Sequence, residues 1–194
     1  MALNSTYIRF MIHLMTSGWI IFLISCEPKW EEPFEKFTIP AGEHYSTYRV
    51  ELLEEHTLNF QAKFDETVVY QTITEENQYD INKLFGFSDC NSHHQEHSAR
   101  FGWRWVSDSV EIFVYSYVNS ERISELIGKT VPHQIDDYQI LLTDSAYVYR
   151  FNSTEIGIRR EHSCTQGAYY LLFPYFGGDE TSPHDINIYI KREY

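Results

Sequence analysis

Phe101–Val118 reads FGWRWVSDSVEIFVYSYV, and this stretch decides the fold. Two runs of alternating character, Phe101–Val106 and Val110–Val118, meet at the polar pair Ser107-Asp108. Aromatic and β-branched residues at every second position suit a pleated strand, and a two-residue polar loop between two such runs is a hairpin signal. With Ser107-Asp108 as the loop, Arg104 falls opposite Glu111, Trp103 opposite Ile112 and Gly102 opposite Phe113. One face then carries Phe101, Trp103, Trp105, Val110, Ile112 and Val114, which is a core face. The other carries Arg100, Arg104, Glu111, Phe113, Tyr115 and Tyr117. A slip of one residue would exchange the faces of one strand, so the assignment is tied to that register.

The second face has two readings. Tyrosine rings flanked by arginine suit sugar recognition, because rings stack on C–H faces while charged groups bind hydroxyls. Equally, Tyr and Phe are ordinary strand formers on an outer sheet face, and Arg104–Glu111 is an ordinary cross-strand ion pair.

Outward from the hairpin, further candidate strands are Glu43–Leu53, Thr57–Lys63, Thr67–Thr72, Tyr138–Thr143, Ala146–Phe151, Glu155–Arg160, Ala168–Phe176 and Ile186–Arg192. Turn signals such as Thr143-Asp144-Ser145 and Asn152-Ser153-Thr154 separate some of them. One helix or helical turn is predicted over Glu75–Leu84. With 15 Tyr and 13 Phe, the chain leans towards strands. Many short strands at this spacing predict an all-β, two-sheet antiparallel sandwich, jelly-roll or concanavalin-like.

Two loops carry chemistry-bearing residues. Residues 90–97, CNSHHQEH, hold His93, His94 and His97. Imidazole suits zinc, copper or nickel, but the order is not HExxH and the segment reads as a loop entering a strand. Residues 173–185, FPYFGGDETSPHD, hold Asp179, Glu180, His184 and Asp185. Acids beside a histidine suit acid–base work or calcium, and they are also ordinary turn material. There is no GxSxG, P-loop, Rossmann or zinc-ribbon spacing, so no cofactor and no metal is expected.

The N-terminus has its own signal. An apolar run from Met11 to Ile24 ends at Leu23-Ile24-Ser25-Cys26 and gives way to Glu27-Pro28-Lys29-Trp30-Glu31-Glu32. The run is shorter than the ~20 apolar residues of a membrane span and fits a signal-peptide h-region. Small Ser25 before Cys26 resembles the lipobox of bacterial lipoproteins, which implies removal of residues 1–25 and lipidation of Cys26. The expected organisation is a signal peptide at 1–25, a lipidated tether at 26–37 and one β-sandwich domain at 38–194.

The formal charge is −13, and becomes −14 without Arg9, the only charge ahead of Cys26. So acidic a chain opposes nucleic-acid binding and electrostatic docking on anionic lipid. With Cys26 lipidated, Cys90 and Cys164 remain as an even pair. A disulfide between them would close roughly 75 residues and contribute ~4 kcal/mol in the chain-entropy model. Two thiols, or a metal site with the nearby histidines, are the alternatives.

Tyr169–Glu180 (YYLLFPYFGGDE) with Pro183–Ile186 (PHDI), and Ser98–Trp105 (SARFGWRW), resemble uncharacterised bacterial, Bacteroidetes-type exported lipoproteins with a lipobox signal peptide. The resemblance implies a lipid-anchored protein of the cell envelope, on the periplasmic side or surface-exposed, with Glu31-Glu32 similar to the acidic stretch of surface-sent members. It implies no reaction. The functional expectation is a non-catalytic binding module for carbohydrate or another extracellular ligand. A polysaccharide-cleaving jelly-roll enzyme and an envelope structural or assembly lipoprotein are the alternatives. The candidate ligand-binding residues are Arg100, Arg104, Tyr115, Tyr117, His93, His184 and Asp179, which should converge on one cleft if they act together.

Overall fold

The computed structural model describes residues 33–160 and 169–193. The stretch read as a lipobox, with Cys26, and Cys164 lie outside the described residues. Twelve strands are present among them: β1 (Glu35–Ile39), β2 (Leu52–Leu53), β3 (Thr57–Phe64), β4 (Asn82–Ser88), β5 (Ser98–Val106), β6 (Ser109–Val118), β7 (Glu121–Thr130), β8 (Asp136–Leu142), β9 (Ala146–Phe151), β10 (Thr154–Arg159), β11 (Tyr169–Leu172) and β12 (Ile186–Glu193). They form two antiparallel six-stranded sheets, ordered β1-β12-β3-β8-β9-β10 and β2-β11-β4-β5-β6-β7. The chain crosses repeatedly between the sheets, giving a jelly-roll, concanavalin-like sandwich. Among the described residues no helix is long and apolar enough to cross a membrane.

The β5–β6 hairpin has the register read from the sequence: Arg104 faces Glu111, Trp103 faces Ile112 and Gly102 faces Phe113. Ser107 and Asp108 both take positive φ, 51° and 59°, as a primed two-residue turn requires. The inner faces interdigitate apolar residues. Phe101, Trp103, Ile112 and Val114 from the second sheet meet Phe60, Phe64, Tyr138, Ile140 and Tyr149 from the first. Phe101 packs edge-on to Tyr149 at 5.2 Å and to Tyr138 at 5.0 Å. Such perpendicular contacts favour aromatic pairs beyond simple burial.

Four sequence expectations are corrected. Glu43–Leu53 is a crossing segment in which only Leu52–Leu53 pairs as a strand. Thr67–Thr72 holds the end of a 3₁₀ turn, Glu66–Val68, capped by Asp65, whose carboxylate accepts from Thr67 N–H at 3.0 Å. The helix or helical turn predicted over Glu75–Leu84 is a 3₁₀ turn over Glu75–Tyr79 only, and Asn82–Leu84 belong instead to β4. Finally, β1 starts at Glu35, inside the segment read as tether, and pairs with β12 from Glu35–Ile190 to Ile39–Ile186.

Candidate functional site

The outer face of the second sheet carries a cleft of about 530 Å³. Its floor comes from the strands already read in the sequence. Arg100 on β5 stands opposite Tyr115 on β6, and Ser98 stands opposite Tyr117. Lys83 on β4 stands opposite Gly102. One wall is the segment after β11, Phe173 to Tyr175 with Gly178, and another is the His93–Gln95 part of the β4–β5 loop. Tyr45, Thr47 and Arg49 from the crossing segment complete it.

Two glycines make this floor possible. A side chain at Gly86 would collide with the backbone oxygen of Ala99 and with Cα and Cγ of Arg100. A side chain at Gly177 would collide with the Lys83 ammonium and the Ile81 carbonyl. Both positions therefore serve the approach of a cation to the sheet.

Aromatic rings line the opening. Tyr175 stacks on His44 at 5.2 Å and meets Tyr45 edge-on at 4.8 Å, while Tyr45 lies 5.1 Å from Tyr48. Tyr45 and Tyr48 are 48% and 78% exposed, so this cluster presents ring surface to solvent. Tyr115 and Tyr117 pack against each other at 5.9 Å on the floor. Burial, with Tyr117 beside it, pushes the Tyr115 phenol up to about 12, which keeps it a neutral donor.

The charges of the floor are the most unusual part. Arg100 is only 6% exposed; its Nη2 donates to the Phe173 carbonyl at 2.9 Å and its Nε has no partner among the described residues. Burial pulls its pKa down to about 10. The Lys83 ammonium donates to the Ile81 carbonyl at 2.9 Å and lies 5.0 Å from the centroid of Tyr115 and 5.7 Å from that of Tyr175. Burial, and then the neighbouring Arg100, lower it to about 8. His94 is lowered to about 4 by burial, then by Arg100, His93 and Lys83, so it is neutral near pH 7. Among the described residues no aspartate or glutamate lines the cleft.

Of the residues singled out by sequence, Arg100, Tyr115, Tyr117 and His93 come together here. Arg104 does not line the cleft. Its guanidinium is held by Glu111 at 2.8 Å and by the Tyr79 carbonyl, with Phe113 beneath it at 4.8 Å. His184 is also elsewhere, its Nε2 2.8 Å from the Thr67 carbonyl oxygen, where it ties the last loop to the 3₁₀ turn. Asp179 is exposed outside the cleft, although neighbouring Gly178 lines it. Cys90 Sγ lies 3.2 Å from Asp89 and 3.3 Å from Arg160. Among the described residues no three His, Cys, Asp or Glu side chains gather as a metal site.

Lys83, Tyr175 and Tyr45 were not singled out by sequence, and His94 was noted only within the histidine-rich loop. The only signal for Tyr175 was its place in an aromatic run before Gly177-Gly178. Lys83 sat inside a predicted helix, which hid its face.

No protein-family model and no curated protein sequence matches this chain. Solved structures give distant likenesses. The alginate lyase AlgAT5 of polysaccharide lyase family 7 is 9% identical, with a TM-score of 0.42 over 82% of this chain and 63% of that one. This chain thus spans less than two thirds of that protein. The Crh5 transglycosylase is 9% identical, with a TM-score of 0.48 over 81% of this chain and 70% of that one. A glycosyl hydrolase family protein from Mycobacterium fortuitum is 15% identical, with a TM-score of 0.45 over 81% and 74%. Likeness at this distance says nothing of what this chain binds.

Proposed function

We propose that this chain is a lipid-tethered, extracytoplasmic β-sandwich of the bacterial envelope that binds carbohydrate without cleaving it. The observation that carries the reading is the tyrosine-lined cleft with hydrogen-bond donors in its floor. A sugar ring has apolar C–H faces and a polar rim, so it needs flat rings and fixed polar groups in one concavity. Tyr45 and Tyr175 supply rings at the opening, while Tyr115, Tyr117, Arg100 and Lys83 supply ring edges and donors below. The lipobox at Leu23–Cys26 supports the tether, and the acidic chain supports partners other than nucleic acid.

Calorimetric titration against a panel of oligosaccharides tests the reading. Binding is expected for at least one glycan, and Tyr175→Ala should weaken it about tenfold, the equivalent of ~1.4 kcal/mol of lost stacking. No binding across the panel, or an affinity indifferent to Tyr175→Ala and Tyr115→Ala together, would count against it. Steady turnover of a polysaccharide, abolished by His94→Ala, would move the reading to catalysis.

A further inference from the structure

Arg100 and Lys83 are two cations in the floor of one cleft, and among the described residues neither has a carboxylate within 4.0 Å. This is unusual within the molecule itself. Arg49 at the cleft rim is held by Glu35 at 2.6 Å, and Arg104 by Glu111 at 2.8 Å. Lys129 shares Glu111 at 2.9 Å, and Arg160 is held by Asp89 at 2.7 Å. The chain has 28 acidic residues against 15 basic ones, so carboxylates are plentiful. Among the described residues none of them lines this one concavity, although Asp80 sits just outside it against Gly178.

Burying a guanidinium without a counter-charge is costly, and a second cation beside it adds repulsion. Carbonyl oxygens from Phe173 and Ile81 satisfy one donor on each but neutralise neither. Gly86 and Gly177 leave the two cations room, the Tyr115 and Tyr175 rings lie 5.0 and 5.7 Å from the Lys83 ammonium, and Asp80 acts on Lys83 from outside the cleft lining. A neutral sugar would leave Arg100 without a counter-charge and Lys83 with only Asp80, which lies beyond 4.0 Å. An anionic group placed between them would offset both, and would do so in a water-poor site where the attraction is strongest.

We propose that the cleft takes an anionic glycan, a chain bearing carboxylate or sulfate groups, with Arg100 and Lys83 meeting one such group from the floor. The inference rests on the carbohydrate reading above and narrows it. The shared chemistry is a planar or tetrahedral oxyanion carried on a sugar ring. Arg100 presents a fork suited to either kind, and Lys83 a point charge that tolerates both.

The experiment titrates the full chain with three oligosaccharides of matched length: a polyuronate, a sulfated galactan and a neutral β-glucan. One of the two anionic ligands should bind at least about tenfold tighter than the neutral one, and its affinity should fall as salt rises from about 50 to about 500 mM. Whichever anionic arm is tighter identifies carboxylate or sulfate as the group recognised. Lys83→Gln, at a partly exposed position that leaves β5 untouched, should lose about tenfold in that arm, whereas Arg150→Gln on the far sheet should lose nothing. Arg100→Met should abolish binding, and its melting curve separates loss of fold from loss of site. Equal binding of neutral and anionic ligands, or no change in Lys83→Gln, would overturn the inference while leaving the carbohydrate reading in place. Silence from all three glycans would remove both. Polyglutamate binding as tightly as the better glycan would also overturn both, since the cleft would then be reading charge without sugar.

Discussion

Arg100 and Arg104 occupy the same face of β5, two pleat repeats apart with Gly102 between them, yet their surroundings are opposite. Arg104 is bracketed by Glu111, which also holds Lys129, and its plane lies over Phe113. Arg100 has a carbonyl, tyrosines and the Gly86 backbone. Gly86→Ala should therefore be severe. The new methyl meets backbone of β5 rather than a movable side-chain end, so β4 and β5 must part. Unfolding in urea should register a loss at or above the ~1–3 kcal/mol of ordinary overpacking, and a midpoint equal to that of the parent would refute the close approach. His94 gives a pH prediction on the same scale. Its folded pKa is near 4 and its unfolded value near 6.5, so between those values the unfolded chain binds the extra proton. Stability should rise with pH across that window and be lost on acidification from about 6.5 towards 4. His94→Gln should flatten this part of the stability profile; an unchanged slope would assign the acid sensitivity to other groups.

Elements were legible in proportion to how one-sided their burial is. β3, β8, β9 and β12 alternate cleanly, because each has one face on the core, while β5 and β6 are buried on both faces and were read from their aromatic and β-branched residues either side of a two-residue turn. β4 is buried on both faces, so NKLFGFS shows no alternation and was absorbed into the preceding helical turn. β7 fails for the opposite reason: at the sheet edge, six of its residues in succession are exposed, and ERISELIGKT reads as solvated. Glu43–Leu53 does alternate, but because Tyr45, Thr47 and Arg49 point to the cleft, with the backbone pairing only at isolated places such as Ser46 to Pro174. The site followed the same logic. Arg100, Tyr115 and Tyr117 came from one local hairpin, whereas Lys83, Tyr45 and Tyr175 meet only through crossings between the sheets. The hairpin turn itself offers a test. Ser107 and Asp108 sit in the left-handed region that L residues enter at a cost, and Asn-Gly fits such a turn better. Replacing the pair by Ser107→Asn with Asp108→Gly should stabilise the domain by about 0.5–1 kcal/mol in chemical unfolding. Destabilisation by that change would mean that the side chains of this turn matter more than its backbone.

At the scale of the molecule, charge and location bear on one another. A chain with net charge −13 is repelled by anionic lipid and by anionic polymers over most of its surface, so neither a membrane nor an acidic glycan would be held by general attraction. The carboxylate-free cleft is the local exception for the glycan. For the membrane, the covalent anchor predicted at Cys26 is the corresponding device. Its strength depends on chain number: one acyl chain gives reversible binding with an association constant of roughly 10⁴ M⁻¹, whereas two or more give stable attachment even against unfavourable electrostatics. Expressed in a bacterial host that lipidates exported proteins, the full chain should incorporate labelled palmitate and partition into the detergent phase, and high salt should not release it from membranes. Cys26→Ser should abolish both the label and the partitioning while leaving the melting temperature of the β-sandwich unchanged. Label retained in Cys26→Ser would place the anchor at another residue. Absence of label in the parent chain would leave the acidic domain without a means of staying at the envelope, and the tethered reading would fall with it.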